Sequence, residues 1–186
     1  MGRKKRLKAA LGRPRKVRVT LNIGNGSEYY HGFVVGLSES LLVLHVLDDF
    51  HLDGHCVVRV RDITRVRMGE RDQTMSRILK SLGVHRSIEL PSWLKYGSWR
   101  GLFRSLAKAE KCVMVERAGR HPRVSVGEIL RAGNSRVSIR AFDASARWIA
   151  FPRKVRYKQA RVVWFDDEYG TTFHEFMRGL DTRSPL

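Results

Sequence analysis

The sequence predicts a mainly β protein: two tandem five-stranded barrels, each followed by a short helix, joined by a helical connector. Three observations predict it. First, the chain echoes itself. Residues 32–48 read GFVVGLSESLLVLHVLD and residues 127–143 read GEILRAGNSRVSIRAFD, so that Gly32 falls on Gly127, Ser40 on Ser135, Leu44 on Ile139 and Asp48 on Asp143, at an offset of 95. A repeat of this length is a whole small domain, longer than the roughly 20–50 residues of a solenoid unit. Second, each copy is a series of short alternating or apolar runs broken by turn residues, the pattern of a small all-β unit. Third, each copy closes on a helix-period face: Met75, Ile78, Leu79 and Leu82 in one, Phe173, Phe176, Met177 and Leu180 in the other.

The elements follow in order. Residues 1–15 are basic, punctuated by glycine and proline, and carry little to bury, so they predict a disordered tail with at most a short helix over 5–11. Val17, Val19, Leu21 and Ile23 alternate with polar residues as a half-buried strand, and Gly24-Asn25-Gly26 signals a turn. A strand over 28–37 contains Gly32 and Gly36, which permit the sharp bending that a small barrel needs. The turn Ser38-Glu39-Ser40 leads into an apolar strand over 41–47. A polar loop over 48–54 and strands over 56–60 and 63–68 complete the first copy. Asp72 or Thr74 is placed to cap the helix that follows, and Gly83 to end it.

Residues 84–97 connect the halves. Trp93, Tyr96 and Trp99 make a linker that docks rather than hangs free, and an amphipathic helix over 99–111 buries Leu102, Phe103 and Leu106. The second copy has strands over 112–116, 123–130, 136–142, 148–157 and 160–165, a closing helix over 171–180 and a short tail. The domains are thus 1–15, 16–83, 84–110 and 111–181. A 60-residue unit alone is marginal, so packing of the two copies, or a homodimer, is expected to help.

Charge is distributed unevenly. The formal net charge is +18. Residues 1–20 carry nine cations and no acid, residues 21–72 five cations against eight carboxylates, and residues 111–186 fifteen against eight. The first copy is mildly acidic while the leader and the second copy are basic, which points to a polyanionic partner held by the tail and one barrel. Hydrophobic residues make up 42%, ordinary for a globular chain, and no apolar run is long enough to span a membrane. The charged N-terminus lacks the apolar region of a secretory signal. Cys56 and Cys112 are not at equivalent positions and form no Cys-x-x-Cys pair, so a reduced, cytoplasmic chain is expected.

The bent, glycine-containing second strand in Tyr30-His31-Gly32-Phe33-Val34, the apolar strand over 41–47 and the segment Asp62-Ile63-Thr64-Arg65-Val66 resemble the Sm-like small β-barrel superfamily. Gly127, residues 136–142 and residues 159–163 carry the same resemblance in the second copy. It implies the five-stranded barrel and RNA binding without enzymatic activity. The family's RNA-binding loop has an Asp six residues after the glycine and then a Met-Asn pair. Here Ser38 and Leu41-Leu42 stand there, Gly133 and Arg136-Val137 in the second copy, and Arg59-Val60 replaces the family's Arg-Gly. No base-reading residue is therefore carried over.

The candidate RNA contacts come from charge. Arg3, Lys4, Lys5, Arg6, Lys8, Arg13, Arg15 and Lys16 supply sequence-independent phosphate contacts. In the second copy Arg136 and Arg140 share a strand face, and Arg153, Lys154, Arg156 and Lys158 form a second cluster with Trp148 and Tyr157 nearby, the mixture of cations and aromatics that grips single strands. The competing reading is a protein-interaction adaptor that uses the aromatic connector or a barrel edge. His45, His51, His55 and Cys56 are zinc-ligand types without paired spacing, and no metal or other cofactor is expected. No nucleophile elbow, phosphate loop or His-Glu-x-x-His occurs. Asp166-Asp167-Glu168 stands where Glu70, Arg71 and Asp72 stand in the first copy and reads as a polar hinge.

Overall fold

A computed structural model describes residues 2–22, 26–118 and 123–183, the last four of these (180–183) by backbone alone. Ile23, the Gly24-Asn25 part of the expected first turn, and residues 184–186 of the expected tail lie outside the described residues.

The ordered elements are α1 (Arg3–Ala10), β1 (Lys16–Asn22), β2 (Ser27–Leu37), β3 (Leu41–Asp48), β4 (His51–Arg59), β5 (Ile63–Arg67), α2 (Glu70–Ser81), α3 (Trp99–Lys108), β6 (Cys112–Arg117), β7 (Arg123–Ala132), β8 (Arg136–Phe142), β9 (Arg153–Arg156), β10 (Ala160–Phe165) and α4 (Glu168–Arg183). Among the described residues the fold is mainly β, with four α-helices around one antiparallel sheet of ten strands in the order β5-β1-β2-β3-β4-β10-β6-β7-β8-β9.

Two closed barrels were expected, and the sheet is instead open and continuous. The outer edge of β4 pairs with β10, Val57 opposite Val163 and Val58 opposite Val162, so the two runs of five strands become one ladder. The physical reason is burial on both faces. In β3 and β4, Leu42, Leu44, Cys56 and Val58 face a core built by the first run. Leu41, Val43 and Val57 face the other way, into a core with Val113, Val115, Val137, Ile139, Val163 and Phe165 of the second. A near-continuous apolar strand is what a doubly covered position requires.

The register of the two runs coincides in detail. Gly32 pairs with Val46 in β2–β3, and Gly127 pairs with Ala141 in β7–β8. The register then shifts between Val34 and Gly36 in one, and between Ile129 and Arg131 in the other. A side chain at Gly32 would run into the carbonyl oxygen of His45, and one at Gly127 into that of Arg140, so only glycine lets these strands approach.

Residues 1–15, expected to be disordered, carry α1. Leu7 and Ala10 are fully buried in the first core. Eight residues are too few to hold a helix alone. Burying Leu7 supplies about 2 kcal/mol. Arg3 Nη1 donates to the carbonyl of Ile63, and Arg6 Nη1 to that of Val66 at 2.8 Å, which ties the helix to β5. Over the second core α3 stands in the matching place, with Leu102, Phe103 and Leu106 buried and Ser98 capping its start by accepting from the Gly101 N–H at 3.2 Å.

Three further expectations change. The loop over 48–54 is mostly strand: β4 begins at His51, and the chain reverses over Asp49, whose φ of 44° lies in the left-handed region. The strand over 148–157 contracts to Arg153–Arg156, with Trp148 keeping only an isolated bridge to Phe142. The apolar faces of α2 and α4 are narrower than their spacing implies: Leu79 and Met177 are buried, while Leu82 and Phe176 are exposed. As expected, Gly83 takes a left-handed conformation just beyond α2.

Candidate nucleic-acid interface

The expected contacts separate into cations spent on the fold and cations left at the surface. Arg3 and Arg6 hold β5. Lys16 is buried, and its Nζ lies 3.1 Å from Asp72 Oδ1. That carboxylate also accepts from Arg67 Nε and the Gly69 N–H, both at 3.0 Å. Burial pushes the Asp72 pKa up, but the bonds from Arg67, Gly69 and Lys16 outweigh it and hold the carboxyl below its usual range. Lys16 is thus committed to the fold, sealed against Asp72 rather than presented at the surface. Lys4, Lys5, Lys8 and Arg13 are exposed, and Arg15 is half-buried.

In the second run, β8 and β9 bring the expected cations together. Arg136 lies opposite Arg156, and Ser138 opposite Lys154. With Val137, Ile139 and Val155 buried, period two turns Arg136, Arg140, Lys154 and Arg156 to the opposite, outward face. Arg140 is different in character. Its guanidinium sits 3.9 Å from the centre of the Trp148 ring and 3.8 Å from Glu128, so the indole face expected to stack on a base is already covered by an arginine. Arg136, Arg153, Lys154, Arg156 and Lys158 make no ion pair with a described residue.

Where the two runs meet, the β2–β3 turn, the 3-10 turn Val60–Asp62, the start of α3 and the β9–β10 turn enclose a pocket of about 380 Å³. Its lining includes Arg61, Lys158, Ser40, Trp99 and Tyr157. Arg59 organises the junction: Nε donates to Asp62 at 2.5 Å and Nη1 to the Lys158 carbonyl at 3.1 Å. Tyr157 is held by stacking on Phe103, with centroids 5.6 Å apart, and by its hydroxyl donating to Gly133 O at 2.8 Å. Burial raises its pKa, so it stays a donor. The Trp99 Nε1 donor is buried without a partner among the described residues, one of the rare unmet hydrogen bonds of a folded interior. The volume suits a small planar group, and the walls combine aromatic surface with the cations Arg59, Arg61 and Lys158 and one carboxylate, Glu39.

No family model, curated protein or solved structure matches this chain.

Of the pocket residues, Tyr157 was expected beside the basic cluster, and Arg61 and Trp99 were not among the expected contacts. Arg61 carries no sequence signal beyond its charge, because the pocket exists only once β4 and β10 pair. Phe151 was also missed. It is 82% exposed, two residues before Arg153. A large aromatic side chain left in water beside a basic strand is a stacking candidate, and its place in the run Phe151-Pro152-Arg153-Lys154 could have flagged it.

The histidines serve the fold. His45 and His55 stack with ring centres 4.3 Å apart, and His55 stacks on Phe165 at 4.9 Å. His45 Nδ1 accepts from the Glu89 N–H, and His55 Nε2 lies 3.1 Å from the Glu89 carbonyl, which pins the connector to the sheet. Among the described residues no group of three or more His, Cys, Asp or Glu is placed to hold a metal. Both thiols are buried, which pushes Cys56 up and Cys112 to about 12 and leaves them unreactive at neutral pH. Among the described residues no helix is long and apolar enough to cross a membrane.

Proposed function

We propose that the chain is a non-enzymatic RNA-binding protein of tandem Sm-like type. Its two copies are the runs β1–β5 and β6–β10, fused edge to edge rather than closed as separate barrels. The coincident registers around Gly32 and Gly127, and the same fifth-first-second-third-fourth strand order in each run, support the tandem reading. The observation that carries the RNA reading is the junction pocket. Aromatic walls and the cations Arg61 and Lys158 lie beside a β8–β9 face on which Arg136, Lys154 and Arg156 make no ion pair with a described residue. Single strands are held this way, by stacking of bases and tracking of phosphates.

Fluorescence anisotropy of a short single-stranded RNA at rising salt tests it. Affinity should fall steeply, with a log–log slope of about −0.7 for each phosphate bound. A flat salt response, or no binding at low salt, overturns the reading. A second reading, a protein-interaction adaptor, is favoured by one observation: among the described residues the outer edges of β5 and β9 pair with no other strand. The connector named as the alternative docking surface favours it less, because Leu94 and Trp99 are buried in the second core and Tyr96 packs against it. A protein partner whose capture survives nuclease treatment would support the adaptor.

A further inference from the structure

Two arginines outside the pocket and the β8–β9 face stand opposite each other at one end of the second run, and the charge of a third, Arg153, acts on one of them. In β6, Val113 and Val115 are buried in the second core, and period two carries Arg117 to the same face. In β7, Ser125 and Gly127 are buried, and Arg123 continues their face. In β9, Val155 is buried, and Arg153 shares its side. Arg117 and Arg123 stand directly opposite each other in the ladder. Like charges so placed are destabilising. The Nε of Arg117 is shut off from solvent and finds no hydrogen-bond partner among the described residues. Burial, then the charges of Arg123 and Arg153, depress its pKa; both charges acting on it are positive.

The sheet itself does not require this. Counted from the pairs Val17 with Gly32 and Val113 with Gly127, the pair four residues further on is Leu21 with Glu28 in the first run, an apolar residue and an acid. In the second run it is Arg117 with Arg123. Three cations, one with a buried unpartnered donor, are thus set where the first run carries none. An anion would relieve the repulsion, and the planar fork of arginine matches a phosphate.

We propose that Arg117, Arg123 and Arg153 form a phosphate-binding cluster that grips a backbone phosphate of the bound RNA; the identity of the polymer rests on the functional reading above, the anion chemistry does not. The cluster lies beside the pocket. Arg117 pairs with Ala160, and the Ala118 N–H donates to the Gln159 carbonyl at 2.8 Å, so both sites share the turn that bears Tyr157 and Lys158. One strand can lie across both.

Inorganic pyrophosphate and a short single-stranded RNA, each titrated into the intact chain, test the two claims separately. Pyrophosphate should raise the Tm of the parent. The R117Q/R123Q double variant should melt higher than the ligand-free parent, lose the pyrophosphate response, bind RNA about tenfold or more weakly at low salt, and show a salt slope flatter by about 0.7 for each phosphate it no longer grips. If the double variant fails to fold, the single variant R153Q, at an exposed position, should lose the pyrophosphate response. The R61Q/K158Q variant should lose RNA affinity and keep the pyrophosphate response. A parent indifferent to pyrophosphate, or arginine variants that respond as the parent does, overturns the cluster. A pyrophosphate response that vanishes in the arginine variants, in a chain that binds no RNA, overturns the RNA reading and supports the cluster as a site for small phosphorylated anions.

Discussion

Arg161 and Glu28, 133 residues apart in sequence, meet at 2.5 Å, and the same Nη2 lies 3.2 Å from Glu116. Arg161 is 5% exposed. Glu28 belongs to the first run, Arg161 and Glu116 to the second, and Trp164 Nε1 and the Tyr30 hydroxyl complete the network on Glu116 and Glu28. One buried cation thus neutralises carboxylates from both halves beside the strands that join them. Replacing Arg161 by Gln should cost about 2 kcal/mol in urea unfolding, because it removes a buried cation and leaves the part-buried Glu116 uncompensated, while the more exposed Glu28 keeps its water. Burial already raises the Glu116 pKa. The penalty should therefore shrink as the pH falls and Glu116 takes up a proton. A loss that stays constant across that range would place the role of Arg161 in packing rather than charge.

The two strand-crossing glycines make a matched pair of tests. Gly32→Ala and Gly127→Ala each push a methyl group into a backbone carbonyl, at His45 and at Arg140. Backbone cannot swing aside as a long side chain can, so each should cost about 3 kcal/mol, at the upper end of overpacking. Similar destabilisation at both sites, read by denaturant midpoints, is the expected result. A neutral effect at one site would mean that its strands separate to admit the methyl.

Much of this fold was readable because short-range patterns survive tertiary packing. Val17, Val19 and Leu21 alternate, and all three are buried. Gly32 and Gly127 marked equivalent bends. The open sheet was not readable, because the pairing of Val57 with Val163 joins residues 106 positions apart and leaves no local signature. A short helix over 5–11 was allowed for, but its docking on the first core was not readable, because only Leu7 and Ala10 anchor it among cations and the composition resembles a solvated tail. Of the candidate site, the charges were legible and their fates were not. Lys16 reads like Lys8 in sequence, yet one is sealed against Asp72 and the other is exposed. Arg117 and Arg123 carried a usable signal, the continuation of an inward period-two face across a turn, which the total charge obscured.

Acid sensitivity should trace to His45. Burial, then the neighbouring His55, lowers its pKa to about 4, against about 6.5 when unfolded. The unfolded chain therefore binds a proton more readily, so stability is full above about pH 6.5 and falls as the pH drops toward 4. After allowance for solvent screening, the loss attributable to His45 is about 2 kcal/mol. His45→Gln should flatten this part of the stability profile, measured by urea unfolding at several pH values. An unchanged slope between pH 6.5 and 4 would assign the acid sensitivity elsewhere.

The leader separates charge from structure. Deleting residues 1–15 removes Leu7 and Ala10 from the first core and strips the Ile63 and Val66 carbonyls of their arginine donors, so weaker RNA binding in that variant would report unfolding as much as the missing cations. Replacing Lys4, Lys5, Lys8 and Arg13 by Gln leaves those anchors in place, because all four side chains are exposed. Stability should change by less than about 1 kcal/mol, since none of the four makes an ion pair with a described residue. RNA affinity should fall uniformly across sequences, and the salt slope should flatten by about 0.7 for each phosphate that the leader holds. A variant with the parent's salt slope would confine binding to the junction pocket and the second run, and would leave α1 as a structural lid on the first core alone.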